Sequence, residues 1–131
     1  DIDSEDGLIN NNYGGFLCQE KRYSESLKYF DNAVKDIKYE TPARALENAG
    51  QCALGIPDNK VAETYFRRAI KIDSKLSVSL LEMAKLSLQN KKYMSVRAFN
   101  KSYDNVLKYN SESLWLAILA ERKFKDITSI A

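Results

Sequence analysis

The sequence predicts an all-α chain of stacked helical hairpins, and three observations carry that expectation. One motif recurs three times. Tyr13-Gly14-Gly15-Phe16-Leu17 runs into Lys21-Arg22-Tyr23, Tyr29-Phe30 and Ala33; Asn48-Ala49-Gly50 runs into Ala62, Phe66 and Ala69; Met83-Ala84 runs into Lys92-Tyr93, Val96 and Tyr103. The spacing is nearly constant, 34 positions from Gly50 to Ala84 and 36 from Ala33 to Ala69. Within each copy, apolar residues return at three- and four-residue intervals, the period of a helix with one buried face.

A period near 34, with small residues at the helix contacts and an aromatic four positions after the second, is the tetratricopeptide pattern. The expected fold is a tetratricopeptide-repeat right-handed superhelix: three helical hairpins over about residues 7–40, 43–76 and 77–110, plus a C-terminal lid helix over about 111–124, in one domain. Such repeats bury their faces against one another and leave an extended concave surface that holds another protein.

Taken in order, helix 1A is expected over about Leu8–Glu20, with Leu8/Ile9, Tyr13, Phe16 and Leu17 at helical spacing. Gly14 and Gly15 cost up to ~1 kcal/mol each in a helix, which points to a close neighbouring helix. Helix 1B starts at about Ser24 as N-cap and carries Leu27, Phe30, Ala33, Val34 and Ile37 on one face. Thr41-Pro42 starts helix 2A, a capping hydroxyl followed by proline at the first helical position. That helix runs to about Leu54, before the turn Gly55-Ile56-Pro57-Asp58. Asp58 caps helix 2B, whose stripe is Val61, Ala62, Tyr65, Phe66, Ala69, Ile70 and Ile72. Helices 3A (about Leu76–Gln89) and 3B (about Met94–Tyr109) depart from the pattern: Val96, Asn100 and Tyr103 replace a small residue, an aromatic and an alanine. Ser111-Glu112 opens the lid helix with Leu114, Trp115, Leu116, Ile118 and Leu119, and a loose tail is expected after Phe124. Asp3-Ser4-Glu5-Asp6 is similar to the loop Ile72-Asp73-Ser74-Lys75 after a second helix. With Asp1 rather than Met at the start, the chain reads as a fragment preceded by at least one further repeat.

Composition removes several functions. The chain has 131 residues, 44% hydrophobic and 29% charged, with a net charge of +2 and basic residues mixed among acidic ones, so no phosphate-binding surface and no nucleic-acid partner are expected. No apolar run approaches the ~20 residues of a membrane span. With no histidine, the commonest general base and metal ligand is missing. No carboxylate pair stands beside other reactive groups, and no glycine-rich loop follows a strand. No catalytic residue, cofactor or metal is expected, and the chain reads as a non-enzyme.

Cys18 and Cys52 are a whole repeat apart, on helices 1A and 2A, which lie side by side in a stacked solenoid. They read either as two small buried thiols or as a disulfide, which needs Cα atoms roughly 4.4–6.8 Å apart. The first helix of each repeat lines the concave groove. Its positions hold Asn11, Gly15 and Gln19, then Arg44, Glu47 and Gln51, then Leu81, Lys85 and Gln89, with Trp115 at the equivalent place on the lid. This is a polar, amide-rich groove with one aromatic, suited to a bound peptide; alternatively these are ordinary solvated faces, and Trp115 closes the core.

Asn11-Asn12-Tyr13-Gly14-Gly15-Phe16-Leu17-Cys18 followed by Lys21-Arg22-Tyr23, and Tyr39-Glu40-Thr41-Pro42 with Asn48-Ala49-Gly50-Gln51-Cys52-Ala53-Leu54, are similar to segments of the type IV pilus biogenesis/stability lipoprotein family, PilF/PilW. Ala62-Glu63, Tyr65-Phe66, Ala69 and Leu80-Leu81-Glu82-Met83-Ala84 continue the resemblance, which closes at Ser113-Leu114-Trp115-Leu116-Ala117-Ile118 and Glu121-Arg122. It covers about Asp3 to Asp126. The resemblance implies a periplasm-facing outer-membrane lipoprotein acting as a pilotin, an assembly factor for the pilus secretin or another protein of the pilus machinery. Membrane contact would come only through a lipid anchor that this chain lacks. It also implies a Cys18–Cys52 disulfide, because many members carry both cysteines. Glu40 departs from the family's frequent proline.

Three other readings compete. A cytosolic co-chaperone clamp for acidic peptide termini needs lysine and asparagine where this chain has Asn11 and Gly15, and lysine and arginine where it has Val78 and Glu82; only Asn48 fits. A generic periplasmic scaffold shares the fold. A thiol-disulfide enzyme at Cys18 and Cys52 lacks the C-x-x-C motif.

Overall fold

The structure, a computed structural model, describes residues 6–130, the side chains of 128–130 excepted. The described residues form seven α-helices and no strand: α1 (Gly7–Gln19), α2 (Tyr23–Lys35), α3 (Pro42–Ala53), α4 (Asn59–Ile72), α5 (Ser77–Gln89), α6 (Tyr93–Val106) and α7 (Ser111–Ile130). They fall into two compact units, Asp1–Ser74 and Lys75–Ala131. The expected loop at Asp3–Glu5 lies outside the described residues.

In the first unit α1 packs on α2, α3 on α4, and α2 and α1 both meet α3. Its core is Leu17, Phe30, Ala33, Leu46, Ala49, Ala62, Phe66 and Ala69, all essentially closed to solvent. The pairing rule inside each hairpin is a phenylalanine ring over a glycine. A Cβ placed on Gly50 would lie 2.7 Å from the Phe66 ring, and one on Gly14 would lie 3.0 Å from the Phe30 ring. The glycines are there because the facing ring takes the methyl's space, not because the backbone needs unusual dihedrals.

Gly15 differs. Nothing lies within 4 Å of where its Cβ would be, so the close helix expected at this glycine approaches Gly14 alone. The two positions therefore respond oppositely to alanine. Gly15→Ala is expected to stabilise by about 0.5–1 kcal/mol through helix propensity. Gly50→Ala meets a buried ring and is expected to destabilise, the overpacking cost of about 1–3 kcal/mol exceeding the propensity gain. Urea unfolding of the two variants reads the difference; equal shifts would contradict the packing.

Helix ends correct several expectations. Asp6 caps α1 by accepting from the Ile9 amide at 3.1 Å, and Asp58 caps α4 by accepting from Lys60 at 3.0 Å. Ser24 is not a cap but lies inside α2, whose N-cap is Arg22 with no side-chain capping bond. Thr41 precedes Pro42 as expected, yet its hydroxyl makes no cap bond. Ile37 falls beyond α2, which ends at Lys35, and is 97% exposed. Ile72 at the end of α4 is exposed as well. In α1 the buried stripe is Gly7, Asn10, Gly14 and Leu17, so Leu8, Ile9 and Phe16 face outward.

Two hairpin turns use lysine in the left-handed region. Lys21 has φ 61° and Lys91 φ 58°. In each turn the next two amides fold back onto the helix. Lys21 N bonds Cys18 O at 2.9 Å and Arg22 N bonds Leu17 O at 2.9 Å; Lys91 N bonds Leu88 O at 3.0 Å and Lys92 N bonds Ser87 O at 2.8 Å. This is the Schellman closure usually made with glycine, which is why neither turn announces itself in the sequence.

In the second unit α5 packs on α6, and α7 packs on both. Ala84, Val96, Leu116 and Ala120 form a buried cluster, with Leu81, Leu88 and Phe99 against it. Where the first unit has a phenylalanine ring, α6 has Asn100, buried and donating its amide to Ser113 O at 3.3 Å. Tyr103 is also buried, its hydroxyl accepting from Asn110 at 2.9 Å. The third hairpin thus replaces an aromatic–glycine contact with polar bonds toward α7. Helix α6 ends at Val106, three residues before the expected Tyr109. Asn110 opens α7: its Oδ1 accepts from Ser113 N at 2.9 Å, and Ser113 Oγ accepts from Asn110 N at 2.9 Å. The loose tail expected after Phe124 is instead helical to Ile130.

Candidate protein-binding site

The predicted groove residues divide between the two units. In the first, α1 and α3 are joined by Asn48 Nδ2 donating to Asn11 Oδ1 at 3.2 Å, so Asn11 is partly spent on holding the two helices together. Gln19, Arg44 and Gln51 are exposed, and Gly15 leaves open space beside them. Glu47 is the exception. It is only 4% exposed, because its helix turns it into the packing layer; Arg44 reaches it from the surface at 4.0 Å. Glu47 is therefore a buried structural carboxylate rather than an open groove contact.

In the second unit, Leu81 packs against the cluster beneath α7, and Gln89 is exposed. Lys85 is committed: it pairs with Glu82 at 3.2 Å on its own helix and with Glu112 at the start of α7. Partial burial pulls the Lys85 ammonium down, but the bonds to Glu112 and Glu82 outweigh it and hold the pKa above that of an ordinary lysine. Trp115 does not close the core. It stays 56% exposed, with Leu114 and Ile118 exposed beside it on the same helix, while Leu116 and Ala120 do the packing. An exposed indole flanked by two large aliphatics is a hot-spot composition for protein contact. Leu114 and Ile118 were missed as surface residues because helical spacing alone does not say which stripe of α7 faces inward.

The two cysteines come together. Both are thiols in the structure, Cys52 buried and Cys18 half-buried, and the Cys18 thiol lies within hydrogen-bond reach of Cys52. The Ser26 hydroxyl donates to Tyr23 O at 2.6 Å and stands 2.8 Å from Cys52 Sγ. Since that hydroxyl has one proton, Cys52 donates to Ser26. Helices α1, α2 and α3 thus converge on one sulfur pair.

Burial first, and then the Cys52 contact, push the Cys18 pKa from an ordinary 9.0 up to about 12. Nucleophilic thiol chemistry needs thiolate, so this thiol is quiet at neutral pH. A pH dependence follows for the reduced protein. The unfolded thiol releases its proton near 9 and the folded one near 12, so between those values the unfolded state binds fewer protons and rising pH favours it. Tyr65 acts in the same direction, its phenol raised by burial and then by its bond to Asp31. Urea midpoints of the reduced protein are expected to fall as pH rises from about 9 toward about 12, and a flat profile would contradict this. Among the described residues, no group of three or more His, Cys, Asp or Glu could hold a metal ion, and no helix is long and apolar enough to cross a membrane.

The fold has solved counterparts. The type IV pilus assembly protein PilF of Pseudomonas aeruginosa is 31% identical over 124 residues, 95% of this chain and 49% of PilF. The structure of Pseudomonas aeruginosa PilF matches with a TM-score of 0.84 at 30% identity, covering 96% of this chain and 57% of that one. This is a PilF/PilW-like tetratricopeptide-repeat chain. PilW, a widely conserved type IV pilus biogenesis factor, matches the PilF/PilW-like chain with a TM-score of 0.72 at 26% identity, over 95% of it and 62% of PilW. An uncharacterised Haemophilus influenzae protein is 26% identical over 74 residues, 56% of this chain and 41% of that protein. No family model matches. The PilF/PilW-like chain spans about half the length of the PilF it matches.

Proposed function

We propose that this chain is a non-enzymatic protein-binding scaffold of type IV pilus biogenesis, acting as a pilotin or assembly factor that helps the outer-membrane secretin multimerise or remain stable. The observation that carries the reading is the likeness to PilF, 31% identical over 95% of the chain with a TM-score of 0.84. The exposed Trp115, Leu114 and Ile118 on α7 and the open polar positions Gln19, Arg44 and Gln51 on α1 and α3 supply contact chemistry. Asn11, Gly15, Lys85 and Gln89 complete the proposed contact set. The site of action is the periplasmic side of the outer membrane, reached through a lipid anchor. A Cys18–Cys52 disulfide belongs to the same reading, since that compartment permits the bond.

Deleting the gene for the full-length protein tests the pilus role: surface pili recovered by shearing should disappear and return on complementation. Complementation with Trp115→Ala should restore protein level but not full piliation, because an exposed indole contributes to binding and not to the core. Normal piliation in the deletion strain would overturn the reading.

A further inference from the structure

The second helices of the first unit enclose a groove of about 510 Å³, lined by Asp31, Val34 and Lys35 from α2 and by Val61, Tyr65 and Arg68 from α4. That volume is within the range of ligand-sized pockets. Val34 and Val61 are half-buried and Tyr65 is buried, so the floor is apolar and held by packing. The Tyr65 hydroxyl donates to Asp31 Oδ1 at 2.8 Å, spanning from α4 to α2. The groove's carboxylate is thus already engaged by an uncharged donor.

The cations are not. Arg68 lies with its guanidinium 5.7 Å from the centroid of the Tyr65 ring, an attraction that keeps it over the groove. Lys35 stands on the other side, in the last turn of α2. Neither Lys35 nor Arg68 makes an ion pair with a described carboxylate. The bias extends along α4, which carries Lys60, Arg67, Arg68 and Lys71 against Glu63 alone, and Glu63 is paired with Arg67 at 2.7 Å.

An apolar floor between two unpaired cations recognises a ligand with carboxylates beside an aliphatic side chain. Arginine adds geometry to the charge, because its planar fork matches a carboxylate with two parallel bonds. We propose that this groove between α2 and α4 binds a short acidic peptide segment of a partner protein, with an apolar side chain on Val34, Val61 and the Tyr65 ring and carboxylates on Arg68 and Lys35. This surface belongs to the second helices of the hairpins, so it is separate from the contacts on α1, α3 and α7 and does not depend on which pilus protein they hold.

Fluorescence anisotropy tests it with a labelled peptide of about ten residues alternating glutamate and leucine, and a lysine–leucine peptide as control. The acidic peptide should bind the wild type at low salt, and more tightly than the basic one. The double variant Lys35→Glu/Arg68→Glu should weaken it at least tenfold. Lys101→Glu/Lys108→Glu, the same charge change at exposed positions of the second unit, should leave binding nearly unchanged. If the first pair of reversals disturbs the fold by circular dichroism, Lys35→Gln/Arg68→Gln gives the same readout with less repulsion. Three outcomes overturn the proposal: no binding to the wild type, equal weakening by both double variants, or binding of phosphatidylglycerol vesicles through Lys35 and Arg68 with no binding of the acidic peptide. None of these bears on the piliation experiment, so the two readings fail separately.

Discussion

Phe66→Ala is expected to lower the unfolding free energy by about 3–5 kcal/mol. The ring is fully buried and fills the space that Gly50 leaves open across the α3–α4 hairpin. Removing it forfeits both the transfer free energy and the contacts with a wall of backbone that cannot collapse inward. Small domains have only about 5–15 kcal/mol in total, so much of the folded population at elevated temperature should be lost. Ile72→Ala on the same helix is the internal control. Ile72 is 57% exposed, and its truncation should stay within about 0.5 kcal/mol. Urea unfolding of both variants reads the difference. A loss below about 1 kcal/mol at Phe66 would mean that the hairpin is not held by its ring-over-glycine contact.

Oxidation of the thiol pair is expected to raise stability by about 3–4 kcal/mol, the chain-entropy value for a loop closed between positions 34 apart (52 − 18 = 34). The Cys18 and Cys52 thiols are already neighbours in the reduced form. Loss of the Cys52 donor leaves no orphan at Ser26, whose proton goes to Tyr23 O. With a denaturant slope of about 1–3 kcal/mol per molar urea, the midpoint should shift by roughly 1–4 M between oxidised and reduced protein. Cys18→Ser/Cys52→Ala should remove the redox sensitivity. Identical midpoints, or failure of the folded protein to form the bond under mild oxidation, would contradict the proposed disulfide.

The repeat architecture was legible because it rests on local patterns: glycine and phenylalanine at matched places in two hairpins, Pro42 at the start of α3, and Asp58 as a cap. What escaped depends on facts that spacing does not carry. Lys21 and Lys91 adopt left-handed turns without glycine, paid for by Schellman hydrogen bonds that only the fold reveals. Glu47 and Gln51 read alike as groove positions, yet the packing around α3 buries one and leaves the other exposed. On α7, Leu114, Trp115, Leu116 and Ile118 form a continuous apolar run, and the side that meets Ala84 and Val96 decides which of them stay exposed. The groove between α2 and α4 had a signal in the four basic residues of α4 against one acid, but a charge excess on a helix reads as a solvated face until tertiary structure sets an apolar floor beneath it.

The role proposed for this chain is secretin assembly through protein contacts. The measurement closest to it is an immunoblot of the pilus secretin, with and without heat dissociation, in cells lacking the full-length protein. Heat-resistant secretin multimers are expected to vanish, to return on complementation, and to be reduced by Trp115→Ala at unchanged protein level. Multimers normal in number and location in the deletion strain would contradict it, and would leave the chain as a scaffold for another partner in the envelope.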